Sequence, residues 1–166
     1  MNPEKIIQGK RLLIVDDEKD VLDVLVDLLE VCKIDTATSF EEGRRLLQEN
    51  DYDMLILDIQ GVRGFDLLKL SKERKIPAIM LTAHGLTEEN FQRSVAEGAS
   101  YYAPKDEMAH IATFVADVFE SIELGKSPWK KLLERLGGFY DKRFGGTDWR
   151  KKELEFLLRK GGRYLS

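Results

Sequence analysis

Between residues 11 and 125, short and wholly apolar runs alternate with longer runs whose apolar residues recur every three or four positions. "RLLIVD", "YDMLILD" and "IPAIMLTA" are brief, greasy and bounded by polar residues, the pattern of strands buried on both faces. Pro77 stands near the start of the third of these, where a strand tolerates it. "KIDTAT" and "SYYAP" are weaker strands, carried by β-branched and aromatic residues. Between the strands, "EKDVLDVLVDLLEVC" sets Val21, Leu22, Leu25, Leu28 and Leu29 at helical spacing. "SFEEGRRLLQEN" opens with Ser39 and has Glu42 three residues on, a capping box. "GFDLLKLSKER" is helical, and "EENFQRSVAEG" is a helix capped by Thr87 and stopped at Gly98. "DEMAHIATFVADVFESIEL" predicts a final long amphipathic helix.

Five strand–helix units in strict alternation predict an α/β fold, a five-stranded parallel sheet covered by helices on both faces. Ligands of such sheets bind in the crevice beyond the carboxyl ends of the strands. Asp16 and Asp17 end the first strand, Asp58 the third and Thr82 the fourth, and Lys105 follows the fifth.

Composition narrows the class. The chain has 166 residues, 43% of them hydrophobic, enough for a real core. No apolar run approaches the roughly 20 residues of a membrane-spanning helix. "MNPEKIIQGK" lacks the apolar stretch of a signal peptide. Cys32 stands alone, which excludes an internal disulfide and a cysteine-based zinc site, and its place at a helix end reads as small core filler. The expectation is a cytoplasmic protein without membrane attachment. The net charge of −4 hides an asymmetry. Residues 1–125 carry 14 Lys and Arg against 25 Asp and Glu, whereas residues 126–166 carry 12 against 5. Net charges of −11 and +7 suggest two segments, 1–125 and 126–166, meeting near "ELGKSPW".

Three carboxylates at one sheet edge repel and raise one another's pKa unless a cation neutralises them. A hard divalent ion suits all-oxygen ligands. Mg²⁺ commonly takes one or two protein carboxylates and completes its shell with water and phosphate oxygens. A carboxylate beside such an ion can itself attack phosphorus to give an aspartyl phosphate. Lys105 would then offer a point charge to the phosphoryl oxygens, and the Thr82 hydroxyl a hydrogen bond.

"VDDE" with Asp16 and Asp17, "LILD" ending in Asp58, "MLTA" with Thr82 and "GASYYAPK" with Lys105 occur in one order over about residues 9–125. In that combination the chain resembles the receiver domain of bacterial two-component response regulators. The resemblance implies a doubly wound, flavodoxin-like receiver fold and phosphotransfer from a sensor histidine kinase or phosphotransfer protein. It makes Asp58 the phosphorylated residue, and the only enzyme-like activity it implies is the domain's own phosphorylation and dephosphorylation. It also implies Mg²⁺ held by Asp17, Asp58 and the Gln60 carbonyl, with Asp16 acting largely through water. Thr82 and Tyr102 match the family's switch pair, and Gln60 and His84 fall where the family tunes dephosphorylation. Two departures stand out. "DIQGVRG" has no proline and places Gly64 six residues after Asp58, where the family commonly has Met-Pro and a glycine at eight. This bears on the Gln60 carbonyl and so on metal affinity. Pro104 precedes Lys105, where the family often has proline after the lysine, which predicts a different turn.

The basic segment "SPWKKLLERLGGFYDKRFGGTDWRKKELEFLLRKGGRYLS" opens with Ser127 as a cap and Pro128 at the first helical position. Trp129, Leu132, Leu133 and Leu136 share a face. Gly145 and Gly146 break the chain before a second predicted helix bearing Leu154, Leu157 and Leu158. Trp129, Phe139, Tyr140, Phe144 and Trp149 are available for packing. Some 40 residues are too few for a catalytic unit, so the segment is expected to pack on the receiver or on a second chain, a homodimer included. Its Lys/Arg face opposite a Leu/Trp face is common to any solvated helix. This favours a protein partner over nucleic acid, and leaves a phosphorylation-independent scaffold as the plainest alternative.

Overall fold

The computed structural model describes residues 2–151. Five strands, β1 (Arg11–Val15), β2 (Lys33–Ala37), β3 (Met54–Leu57), β4 (Ala78–Thr82) and β5 (Tyr101–Pro104), form one parallel sheet in the order β2-β1-β3-β4-β5. In β1, β3 and β4 nearly every side chain is buried, because helices cover both faces. The expected α/β fold and its five units are therefore present. Helices α2 (Lys19–Leu28), α3 (Phe40–Glu49), α4 (Gly64–Glu73), α5 (Glu88–Ala96) and α6 (Ile111–Glu123) follow the five strands in turn. α6 packs with α2 on one face, and α3 packs with α4 on the other.

The caps read from the sequence form. Ser39 Oγ accepts from the Glu42 N–H at 3.2 Å, and Glu42 reaches back to the Thr38 N–H at 3.0 Å. Thr87 Oγ1 accepts from the Asn90 N–H at 3.0 Å. The order β2-β1-β3 reverses the direction of winding between β1 and β3. This switch point opens a crevice at their carboxyl ends. The register Val15↔Leu57 then places Asp16 and Asp58 side by side at that crevice.

Two elements differ from the expectation. A short helix, α1 (Pro3–Ile7), precedes β1 and buries Ile7 against α6. Five residues are too few to show a period, although Asn2 as a cap and Pro3 at the first position are a start signal. The final helix does not begin near Asp106. Pro104 leaves β5 extended, and residues Lys105–His110 form a 3-10 helix before α6 starts at Ile111. The exposed His110 ends that tighter turn, and Lys105 begins it over the carboxyl edge of the sheet.

Helix α7 (Pro128–Arg143) begins as read, with Ser127 Oγ accepting from the Trp129 N–H at 3.2 Å. It lies along the open edge of β5 and against α6, burying Trp129, Leu132, Leu136 and Tyr140. Arg135 pairs with the buried Asp117 of α6, one of its bonds being 3.1 Å long. The chain turns at Gly145 and Gly146, both at positive φ, and residues 148–151 begin another helical turn. Trp149 is buried, and its indole N–H donates to Asp141 at 2.9 Å. The predicted second helix with Leu154, Leu157 and Leu158 lies outside the described residues. Among the described residues no helix is long and apolar enough to cross a membrane.

Candidate functional site

Asp16 and Asp58 follow adjacent strands. The Asp58 N–H donates to the Val15 carbonyl at 3.0 Å and the Asp16 N–H to the Ala37 carbonyl at 3.1 Å, so sheet bonds continue into the crevice. Both side chains are nearly out of solvent, at 3% and 7% exposure. Asp17 and Glu18 point the cluster towards water. Each of the four residues offers a carboxylate oxygen within 4.8 Å of the others.

Among the described residues one lysine pairs with them. Lys105 Nζ lies 2.9 Å from Asp16 Oδ2, 3.0 Å from Glu18 Oε1 and 3.4 Å from Asp58 Oδ2. Its ammonium is thus shared by three carboxylates and closest to Asp16, not committed to Asp58. Four carboxylates and one ammonium leave the site under-neutralised, and its donors are all hard oxygens. That donor set fits a divalent ion such as Mg²⁺.

The titration of the groups follows. Burial, and after it the charge of Asp16, pushes the Asp58 carboxyl up to about 6, with Lys105 offsetting part of the rise. The hydrogen bond and charge of Lys105 hold Glu18 below the usual carboxylate range. Burial works against the charged form of Lys105, yet its bonds to Asp16 and Glu18 and the charges of Asp58 and Asp16 raise its pKa above the usual value.

The short loop after Asp58 is shaped by two glycines. Gly61 has φ +85°, and a Cβ there would stand 2.3 Å from Asp17 Oδ2, so the loop lies directly beneath that carboxylate. A Cβ on Gly64 would fall 2.0 Å from the Asp58 carbonyl oxygen. Six residues suffice because the chain closes this tightly on itself. Arg63, in the left-handed region at φ 54°, helps it turn. Gln60 sits on this loop with its side chain exposed.

Thr82 is wholly buried at the end of β4, the strand next to β3. Its Oγ1 accepts from the Gly85 N–H at 3.0 Å. Tyr102, also wholly buried, donates its hydroxyl to the Gly85 carbonyl at 2.7 Å and accepts from the Thr87 N–H at 3.1 Å. Thr82 and Tyr102 therefore grip one loop. His84, two residues after Thr82, is exposed on that loop, and its charge when protonated bears weakly on Glu18. Cys32 is half-buried, its thiol hydrogen-bonded to the Ile7 carbonyl and pushed up by burial to about 11, which suits packing better than reactivity.

Sequence reasoning brought Asp16, Asp17, Asp58 and Lys105 to the same place, and the structure gathers them there. It missed Glu18. The signal was available, since a third acid directly after Asp16 and Asp17 had to fall within a few ångströms of whatever cation they attract.

A sheet of this order with a carboxylate pocket at its switch point defines a flavodoxin-like receiver fold. The profile of the family described as response regulator receiver domain matches residues 12–115. The chain belongs to that family. It is 33% identical over 108 residues to the two-component response regulator ARR18 of Arabidopsis thaliana, covering 61% of this chain and 17% of that protein. It is 42% identical over 78 residues to the response regulator SaeR of Staphylococcus epidermidis, covering 43% of this chain and 34% of that protein. A receiver domain structure from Clostridium thermocellum superposes with a TM-score of 0.62 at 29% identity, covering 69% of this chain and 98% of that one. The matched part thus spans about a third or less of these two curated relatives. The chain is a receiver-domain signalling protein of the two-component class.

Proposed function

We propose that residues 1–125 accept one phosphoryl group on Asp58 from a histidine kinase or phosphotransfer protein and that residues 126–166 carry the consequence outward. The observation that supports this best is the Asp58 carboxylate, buried beside one lysine and three further acids at the switch point of the sheet. An Asp58 Oδ atom attacks phosphorus, a P–O bond forms, the P–N bond to the donor imidazole breaks, and its electron pair stays with the imidazole. Asp17, Asp58 and the Gln60 carbonyl would hold Mg²⁺, with Asp16 acting mainly through water. The ion supplies charge neutralisation of the phosphoryl oxygens when bound. Lys105 shifts within its three-carboxylate nest to pair with a phosphoryl oxygen, and the Thr82 hydroxyl donates to another. Thr82 and Tyr102 relay the change as a switch pair. Gln60 and His84, exposed beside the site, set how fast water removes the phosphoryl group. The chain catalyses no other reaction in this reading.

The output is a protein contact rather than nucleic acid. Among the described basic residues from α7 onward, Lys131, Arg135 and Arg150 are engaged by Glu134, Asp117 and Asp141, which thins the free positive face. The test is a small phosphodonor with Mg²⁺ followed by intact mass. About one phosphoryl group per chain is expected, none with Asp58→Asn, and none when the metal is chelated. A label that persists in Asp58→Asn, or none in the wild-type chain, defeats the proposal.

A further inference from the structure

β5 is an edge strand, so the carbonyls on its open side have no strand neighbour. α7 supplies a partner. The Tyr140 hydroxyl donates to the Tyr102 carbonyl at 2.6 Å, and both tyrosines are wholly buried. The two rings lie 5.9 Å apart, and Phe91 of α5 lies 5.3 Å from each. Phe91 also meets Trp129, Phe144 and Trp149 edge-on. With α7 docked, the outward path of the Tyr102 ring is filled by side chains.

At its other end Tyr102 holds the 85–87 loop through Gly85 and Thr87. Asn90 adds one further bond to the Gly85 carbonyl at 2.9 Å. The Gly85 N–H in turn donates to Thr82 Oγ1. A hydroxyl has one proton to give and two lone pairs to accept with. Thr82 uses a lone pair on Gly85, and among the described residues nothing accepts its proton, although the side chain is wholly buried. An unpaired buried donor costs free energy until an acceptor arrives. An oxygen bound at Asp58, on the neighbouring strand, is such an acceptor. The loop position that leaves this donor free is the one Tyr102 enforces, and α7 keeps Tyr102 in place.

We infer that Tyr140 is a positioning residue for phosphoryl acceptance at Asp58, acting through Tyr102 and the 85–87 loop on the Thr82 hydroxyl. The inference rests on the proposed function. It adds a sign: docking of α7 and occupancy of Asp58 strengthen each other, by the same factor in each direction.

The experiment uses the full chain and beryllium trifluoride with Mg²⁺, a tetrahedral phosphoryl stand-in that bonds a carboxylate oxygen. Saturation should slow hydrogen exchange across residues 128–143 about five-fold or more, and Tyr140→Ala should weaken beryllium trifluoride binding by a similar factor. Tyr140→Phe keeps the ring and should recover part of the loss. Affinity for Mg²⁺ alone should stay within about two-fold, because the side-chain hydrogen bonds of the 85–87 loop run to Thr82, Tyr102 and Asn90 and not to the metal-site carboxylates. Arg135→Gln loosens α7 through Asp117, which contacts Tyr101 and not Tyr102, and should show the same split if Tyr140→Ala does not fold. Equal losses of Mg²⁺ and beryllium trifluoride would make Tyr140 merely structural. Tighter binding in the variants would reverse the sign, and unchanged binding with α7 loosened would remove the coupling. Each of these overturns the inference alone. A wild-type chain that binds no beryllium trifluoride overturns the proposed function and the inference with it.

Discussion

At the carboxyl edge of the sheet, four acidic side chains gather and three of them share the Lys105 ammonium. At the α7 junction, rings meet edge to face and the exposed-edge carbonyl of Tyr102 is capped by Tyr140. Lys105 belongs to the first region and Tyr102, three residues earlier, to the second. The difference concerns what each region lacks. The buried tyrosine hydroxyls of the junction both have partners, Tyr102 on the Gly85 carbonyl and Tyr140 on the Tyr102 carbonyl. The edge holds four carboxylates against one ammonium, and a bound cation would add to its stability. One strand thus joins a closely packed region to one with excess negative charge.

Breaking the junction should have the largest effect. Phe91→Ala removes the ring that five others surround and should lower stability by about 3–5 kcal/mol in denaturant titration, with Mg²⁺ affinity nearly unchanged. A loss under about 1 kcal/mol would mean the cluster closes over the gap and contributes little.

Relieving the edge should act in the opposite direction. The folded Asp58 carboxyl titrates near 6, above its unfolded value, so its ionised form is disfavoured by folding. The penalty is absent below the unfolded pKa, near 4, and grows as pH rises through 6. Asp58→Asn should therefore stabilise the metal-free chain by about 1–3 kcal/mol at pH 8, the gain fading towards zero at pH 4. Thermal melts in chelator at both pH values test this. Destabilisation at pH 8 would show that Lys105 outweighs burial and Asp16.

The smallest effect concerns how α7 is launched. Ser127→Ala removes the cap on the Trp129 N–H and should cost about 1 kcal/mol, seen as faster exchange in the first turn of α7. Unaltered exchange would leave the packing of Trp129 as the sole anchor of that end.

Much of the fold was legible because its signals are local. Apolar runs at strand length, the Ser39–Glu42 box, Thr87 and Ser127 act within one or two turns and formed at the residues read, although Glu42 closes its box on the Thr38 N–H. The acids and Lys105 were legible because strand ends of a parallel sheet share one edge. α1 was missed because five residues show no period. The start of α6 was misplaced because amphipathic spacing does not distinguish a 3-10 turn from the first turn of an α-helix.

By itself the sequence determined the five strand–helix units, the edge at which its charges gather and the −11 and +7 division of its charge. Only the tertiary structure decided which partners those residues have. Lys105 is drawn to Asp16 and Glu18 as much as to Asp58, because the 3-10 turn carries its ammonium across the edge. Tyr140 reaches the Tyr102 carbonyl, 38 residues away in the chain, because the sheet order leaves β5 at an open edge and α7 has an apolar face to bury. Local pattern follows from backbone geometry and the nearest neighbours, whereas a hydrogen bond between distant residues depends on how all the elements between them pack.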